Sequence, residues 1–158
     1  MASVRRIEWL SVEDYLVGEQ AAEVRHEYVA GAVYAMGGST ARHNLLALGL
    51  AARVHAHLSG SPCETFISDI KVRSADAFYY PDVVVTCQPV APDAVYLTEP
   101  TMIVEVLSES TDARDRLEKW TAYRAVARAP ITTLARSAVS SAPLSRERIA
   151  KYWCRRTP

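Results

Sequence analysis

The chain has 158 residues, 49% of them hydrophobic and 23% charged, the composition of one globular domain with a real core and not of a disordered segment. Its formal net charge is zero, which excludes a strongly basic, non-specific nucleic-acid binder. No stretch approaches the ~18 consecutive apolar residues of a membrane helix, and no apolar run follows Arg5-Arg6 as a signal peptide requires, so a cytoplasmic protein without a membrane partner is expected.

The zero charge balances two unlike parts. Residues 1–124 hold 11 basic and 17 acidic side chains, net −6, and residues 125–158 hold 7 and 1, net +6. Three cysteines, Cys63, Cys87 and Cys154, are odd in number and form no Cys-x-x-Cys motif. Buried thiols of a reducing cytosol are expected, with neither a disulfide framework nor a thiolate zinc site.

Ser11-Val12-Glu13-Asp14 resembles a capping box, so a short helix follows, with Tyr15 and Leu16 on its inner face. Residues 25–29 and 32–36 are extended runs around Ala30-Gly31 and predict a hairpin. Gly37-Gly38 breaks the chain. Ser39 or Thr40 caps the longest helix, roughly 40–58, whose apolar stripe is read as Leu45, Leu46, Leu48, Ala52, Val54 and Leu58. Gly60-Ser61-Pro62 ends it. Residues 65–73 read as a strand bent at Ser68-Asp69, and Ala75-Asp76-Ala77 as a turn. Two apolar strands, 81–87 and 101–107, flank a loop at 89–92, with Pro81 at a strand's first residue, where a missing donor does least harm. Thr111 caps a helix over about 112–124, with Leu117 and Trp120 as its core contacts. This order predicts an α/β (α+β mixed) fold, one sheet with helices packed on it.

Each of the two apolar strands carries one carboxylate, Asp82 and Glu105. A carboxylate among valines must be paired, protonated or bound to a metal. If the strands are neighbours, both can reach one cation, and magnesium takes hard oxygen ligands. Alone, Asp82 also reads as a strand-start turn residue and Glu105 as a buried salt-bridge partner. Asp115, Lys119 and Tyr123 share a helix face at i, i+4 and i+8, where Lys119 can steady a developing anion or simply pair with Asp115 in solvent. Glu27 is a third candidate carboxylate or an exposed residue of an alternating strand. His43 either touches a phosphate or hydrates the start of its helix. Asp69 and Lys71 alternate with Ile70 and Val72, so they share a face; Lys71 is the rival to Lys119 as catalytic lysine.

These residues occur in one order: Ser11-Val12-Glu13-Asp14-Tyr15-Leu16, Glu27 to Gly31, His43, Tyr80-Pro81-Asp82-Val83-Val84-Val85, Glu105-Val106-Leu107-Ser108-Glu109-Ser110-Thr111, and Asp115-x-x-x-Lys119-x-x-x-Tyr123. Over about residues 8–124 the pattern resembles the Uma-two family of proposed restriction endonucleases, within the PD-(D/E)xK nuclease superfamily. The resemblance implies a restriction-endonuclease-like core with flanking helices and a metal-dependent endonuclease that hydrolyses DNA. It makes Asp82 and Glu105 ligands of Mg2+ or Mn2+, with Glu27 and Lys119 completing the catalytic set and His43, Lys71 and Tyr123 contacting substrate. DNA is then the partner, and a homodimer is compatible with it. The superfamily's lysine two residues after the second carboxylate is here Leu107, so Lys119 on the next helix takes its place.

The resemblance stops after Arg124. Residues 125–158 have no glycine, no aspartate and one glutamate. Their Ala, Arg, Ser and Pro mixture, weakly patterned until 146–153, is what a shifted reading frame yields in a GC-rich gene; a basic tail that touches DNA is the competing reading. A shifted frame would remove the last strands and leave an exposed sheet edge. Besides a nuclease, the same fold used only for binding and an inactive remnant remain open.

Overall fold

A computed structural model describes residues 9–106, 113–126 and 132–134. Helix α1 (Val12–Ala21) starts at an N-cap serine: the Ser11 hydroxyl accepts from the Asp14 N–H at 3.1 Å and donates to Asp14 Oδ2 at 2.7 Å, so Asp14 returns to the cap's hydroxyl and not to its backbone N–H as in a full capping box. Strands β1 (His26–Val29) and β2 (Ala32–Ala35) form the expected hairpin. Its two turn residues, Ala30 and Gly31, both have positive φ, 47° and 91°, as a tight right-twisting hairpin demands. Helix α2 (Ala41–His57) is capped by Thr40, whose side chain accepts from His43 N–H. Then come β3 (Glu64–Ile67), β4 (Lys71–Ser74), β5 (Ala77–Tyr79), β6 (Val83–Thr86), β7 (Tyr96–Leu97), β8 (Met102–Val106), α3 (Ala113–Val126) and β9 (Thr132–Leu134). Among the described residues, no helix is long and apolar enough to cross a membrane.

The strands form two sheets and not the single one expected. One has the order β2-β1-β5-β4-β7 and the other β3-β6-β8-β9. The chain passes between them five times, and two of these crossings frame the site. It leaves the second sheet after β3 and enters the first at β4, so the anticipated strand 65–73 is two strands in different sheets. It returns at Tyr80-Pro81-Asp82, between β5 and β6. The Ser68 hydroxyl donates to the Pro81 carbonyl at 3.4 Å and ties the two crossings together. Strand β5, read as part of a turn, supplies the link from β1 to β4.

Period-two alternation sorts the side chains into layers. Val83, Val85 and Val104 meet Leu50, Ala51, Val54 and Leu58 of α2. Val84 and Ile103 point the other way and pack with Val72, Tyr79 and Leu97 of the first sheet and Tyr123 of α3. On the far face of the first sheet, Tyr28 and Phe78 stack with Tyr15 of α1. The β6 strand is therefore buried on both faces, which is why it reads as an unbroken run of valines.

Three side-chain expectations are corrected. Leu45, Leu48 and Ala52 are exposed, because the buried stripe of α2 runs through Leu50, Ala51 and Val54 to the cap residue Leu58, with His43 and Ala47 half-buried along the same line. Leu117 is exposed as well, whereas Trp120 does pack on the core. Cys63 and Cys87 form a disulfide, with Cα atoms 3.9 Å apart, not a pair of thiols. They flank the paired residues Glu64 and Thr86, so the antiparallel register of β3 and β6 brings together two cysteines 24 positions apart. Beyond residue 124 the second sheet continues, since β9 pairs in parallel with β8. Thr111, Cys154 and the segment 146–153 lie outside the described residues.

Gly31 is the glycine the hairpin requires. Its φ is +91°, and a Cβ there would stand 2.6 Å from Trp9 Cε3. Gly31→Ala is expected to lower stability by about 1–3 kcal/mol. Gly18→Ala, with open space around a helical position, is expected to raise it by roughly 0.5–1 kcal/mol. Urea unfolding of the two variants measures both, and equal midpoints would refute this account of the turn.

Candidate active site

Strands β6 and β8 are antiparallel neighbours, with Val83 opposite Val104 and Val84 opposite Ile103. Extending this register by one residue sets Asp82 against Glu105. Asp82 shares its strand face with Val84, and Glu105 with Ile103. Both carboxylates therefore point to the side covered by α3 and the first sheet. Glu27 arrives from that sheet: it shares a face of β1 with Val29, which packs on the same cluster, while Tyr28 points to α1. The site lies where the two sheets meet.

Each carboxylate is held by a specific donor. Asp82 Oδ2 accepts from the Val106 N–H at 2.7 Å and lies 3.3 Å from His43 Nε2. The same Nε2 is 2.9 Å from the Val106 carbonyl oxygen; a carbonyl only accepts, so Nε2 carries a proton. Glu105 Oε1 accepts from the Tyr123 hydroxyl at 2.7 Å. Glu27 Oε1 stands 2.8 Å from Lys119 Nζ and 3.4 Å from the Tyr80 N–H. Helix α3 is fixed over this group by Ser74, whose hydroxyl donates to the Ala122 carbonyl at 2.8 Å, and by the edge-on contact of Tyr79 and Tyr123.

The electrostatics are those of crowded acids. Burial pushes the Glu105 carboxyl up to about 8; Lys119 opposes the rise, Asp82 adds to it, and the Tyr123 hydrogen bond opposes it again. Burial also raises Asp82, against the Val106 N–H, His43 and Lys119. Tyr123, almost fully enclosed, is raised far above its ordinary value by burial and then by Glu105. Three carboxylates thus surround one described ammonium. When all are ionised, these four described charges sum to −2. Hydrogen bonds fall on Asp82 Oδ2 and Glu105 Oε1, which leaves one hard oxygen of each without a hydrogen bond among the described residues. Among the described residues, no group of three or more His, Cys, Asp and Glu is arranged for a metal.

The structure brings together Asp82, Glu105, Glu27, Lys119, Tyr123 and His43. It does not bring Lys71. Val72 and Ser74 face α3, so Lys71, in the alternate register, faces α1; its ammonium is 3.4 Å from the Tyr80 hydroxyl, and burial lowers its pKa. Asp69 shares no face with it, because it sits in the crossing turn with φ 124° and pairs with Arg25 in solvent. His43 Nε2 faces the Val106 carbonyl and Asp82, and the Tyr123 hydroxyl donates to Glu105. The Asp115 side chain and Leu107 to Thr111 lie outside the described residues. Sequence reasoning missed Glu19, whose carboxylate is buried on the inner stripe of α1. The signal was there: Val12, Tyr15, Leu16 and Glu19 fall at i, i+3, i+4 and i+7, so an acid interrupts an apolar face.

Residues 12–135 match the family model described as "Uma2: Putative restriction endonuclease", eleven positions past the boundary at 124 drawn from sequence motifs. Two similar relatives come from Synechocystis sp. The "Uncharacterized protein slr1290" is 40% identical over 117 residues, covering 72% of this chain and 62% of that protein. The "Uncharacterized protein sll1609" is 30% identical over 122 residues, covering 74% and 69%. The chain thus spans less than two thirds of the length of the first relative. Among solved structures, a "putative nuclease belonging to DUF820" from Anabaena variabilis superposes with a TM-score of 0.61 at 13% identity, over 72% of this chain and 68% of that one. This likeness is one of fold: a mixed α+β core with flanking helices.

The raised carboxyl of Glu105 makes stability pH-dependent in the metal-free protein. Between its ordinary 4.5 and about 8, the folded state keeps a proton that the unfolded chain has lost. The stabilisation is present at low pH and lost as pH rises through 8. The melting temperature is expected to fall steadily from pH 5 to pH 8, and Glu105→Gln to flatten that slope. Thermal melts in a chelating buffer measure it; a wild-type melting temperature that climbs over this window contradicts the assignment.

Proposed function

The chain belongs to the Uma2 family, and we propose that it is a metal-dependent endonuclease that hydrolyses DNA phosphodiester bonds in the cytoplasm, with Mg2+ or Mn2+ as its cofactor. The observation that carries this reading is the gathering of Glu27, Asp82 and Glu105, from two sheets, around the ammonium of Lys119. Asp82 and Glu27 both push the Glu105 carboxyl up, a repulsion that a bound cation would relieve.

Asp82 and Glu105 would hold the ion through their remaining oxygens, with water and phosphate oxygens completing its shell. Held there, the ion supplies positive charge to the phosphate and acidifies water. The protein does the rest. Glu27 anchors Lys119 at 2.8 Å, so the ammonium is set in place before the substrate arrives and meets the negative charge that develops on the phosphoryl oxygens. Tyr123 fixes the Glu105 carboxylate by its hydroxyl. His43 fixes Asp82 and the carbonyl of Val106 with one N–H. In this reading His43 and Tyr123 orient the two acids, and DNA is met by Lys119.

Incubation of supercoiled plasmid with Mg2+ or Mn2+ tests the proposal. The wild type is expected to nick or linearise it. Asp82→Ala, Glu105→Ala and Lys119→Ala are each expected to lose at least ~100-fold in rate while keeping a cooperative melt. Direct passage from supercoiled to linear DNA, without nicked circles, would mark two copies acting as a homodimer. Cleavage that survives all three substitutions belongs to a contaminant and ends the proposal.

A further inference from the structure

Behind the first sheet, on the face away from Lys119, one buried carboxylate holds both segments that deliver catalytic acids. Glu19 of α1 accepts from the His26 N–H at 2.7 Å through Oε1, and its Oε2 is 3.1 Å from His26 Nδ1. The same Oε1 accepts from the Tyr80 hydroxyl at 2.9 Å. His26 directly precedes Glu27. Tyr80 directly precedes Pro81-Asp82, the crossing between the sheets. One helical turn before Glu19, the Tyr15 hydroxyl donates to the His26 carbonyl at 2.6 Å, so α1 grips His26 by its N–H, its ring and its carbonyl. Tyr80 closes the loop, since its N–H lies 3.4 Å from Glu27 Oε1.

We propose that Glu19 is a positioning residue that sets Glu27 and Asp82 relative to each other by fastening His26 and Tyr80. The inference rests on the nuclease reading for its consequence in catalysis. It does not rest on it for the geometry. Glu19 touches neither Asp82 nor Lys119. A buried carboxylate is an expensive way to seat a helix on a sheet, because Tyr15, Tyr28 and Phe78 already supply apolar contact there. What Glu19 adds is an acceptor shared by two strand ends: Oε1 takes both the His26 N–H and the Tyr80 hydroxyl, while Oε2 faces the His26 ring. Lys71 serves this acceptor: its ammonium lies beside the Tyr80 hydroxyl, and its charge and that of Glu19 act on one another.

The test uses Glu19→Ala, Glu19→Gln and Tyr80→Phe in the full chain. Glutamine keeps the Oε1 acceptor for the His26 N–H and the Tyr80 hydroxyl; alanine removes both; Tyr80→Phe removes one hydroxyl with little risk to folding. Supporting contacts of this kind are worth roughly 10–100-fold in metal affinity or activity. Glu19→Ala is expected to lower kcat and to weaken Mn2+ binding, read by titration calorimetry, by factors in that range. KM for DNA should stay within about two-fold, Glu19→Gln should recover most of the loss, and Tyr80→Phe should fall between. Unchanged kcat and Mn2+ affinity in Glu19→Ala and Tyr80→Phe would overturn the proposal, and so would a Glu19→Gln variant as impaired as alanine. A wild type that neither binds Mn2+ nor cuts DNA defeats the nuclease reading instead. The positioning is then decided by the amide resonances of Glu27 and Asp82: movement of both in Tyr80→Phe upholds it, and no movement refutes it.

Discussion

The site depends on one register. Asp82 faces Glu105 because Val83 pairs with Val104 across β6 and β8, and the Val106 N–H, at the end of β8, reaches back to Asp82 Oδ2. A slip of one residue in β8 would turn Glu105 toward α2 and carry Val104 and Val106 to the face of Tyr123. The valines of β6 resist it, since both of its faces are buried and the α2 face, lined by apolar side chains, does not accept a carboxylate. Pro81 helps by ending the ladder where the chain leaves the first sheet. The apolar pattern that builds the core thus also aims the acids.

What gathers the acids also strains their solvation. Glu105 is raised by burial, and Asp82 raises it further. The fold keeps the pair by lending it donors one at a time: the Tyr123 hydroxyl, the Val106 N–H, the His43 ring, and Lys119 as shared counter-charge. Burying a carboxylate that is only hydrogen-bonded is unfavourable compared with an apolar side chain of the same shape, so the arrangement is not one optimised for stability. Helix α1 answers the same problem from behind, where Glu19 is itself an acid placed in an apolar stripe.

Alternation and helical period made much of this legible before any coordinates. They placed Asp82 and Glu105 on apolar strands and Lys119 and Tyr123 on one helix face, and the capping residues marked where α1 and α2 begin. What stayed hidden depended on partners distant in sequence. Residues 64–74 carry one extended pattern, yet the chain changes sheets at Ser68 to Ile70, and nothing local distinguishes a bend from a crossing. That error put Lys71 beside the wrong acids. The frame of α2 was misjudged because leucines at 45 and 48 outweighed the histidine at 43; only docking on β6 and β8 shows that His43 begins the buried stripe. Cys63 and Cys87 met through a strand register, which their spacing did not announce.

The end of the chain shows how far a composition argument carries. Residues 125–158 have the charge and residue mix of a foreign segment, yet Thr132–Leu134 pair with Val104, Glu105 and Val106, and the family match runs to residue 135. The pairing matters to the site. Without β9, β8 would be an edge strand, and the backbone on either side of Glu105 would be open to water and to slippage. With it, β8 is an interior strand paired on both sides, with β6 and with β9. A strand this short needs only a few residues that tolerate extension, which composition does not announce. The carboxylate strand is therefore completed by the first residues of the segment that looked least like part of it.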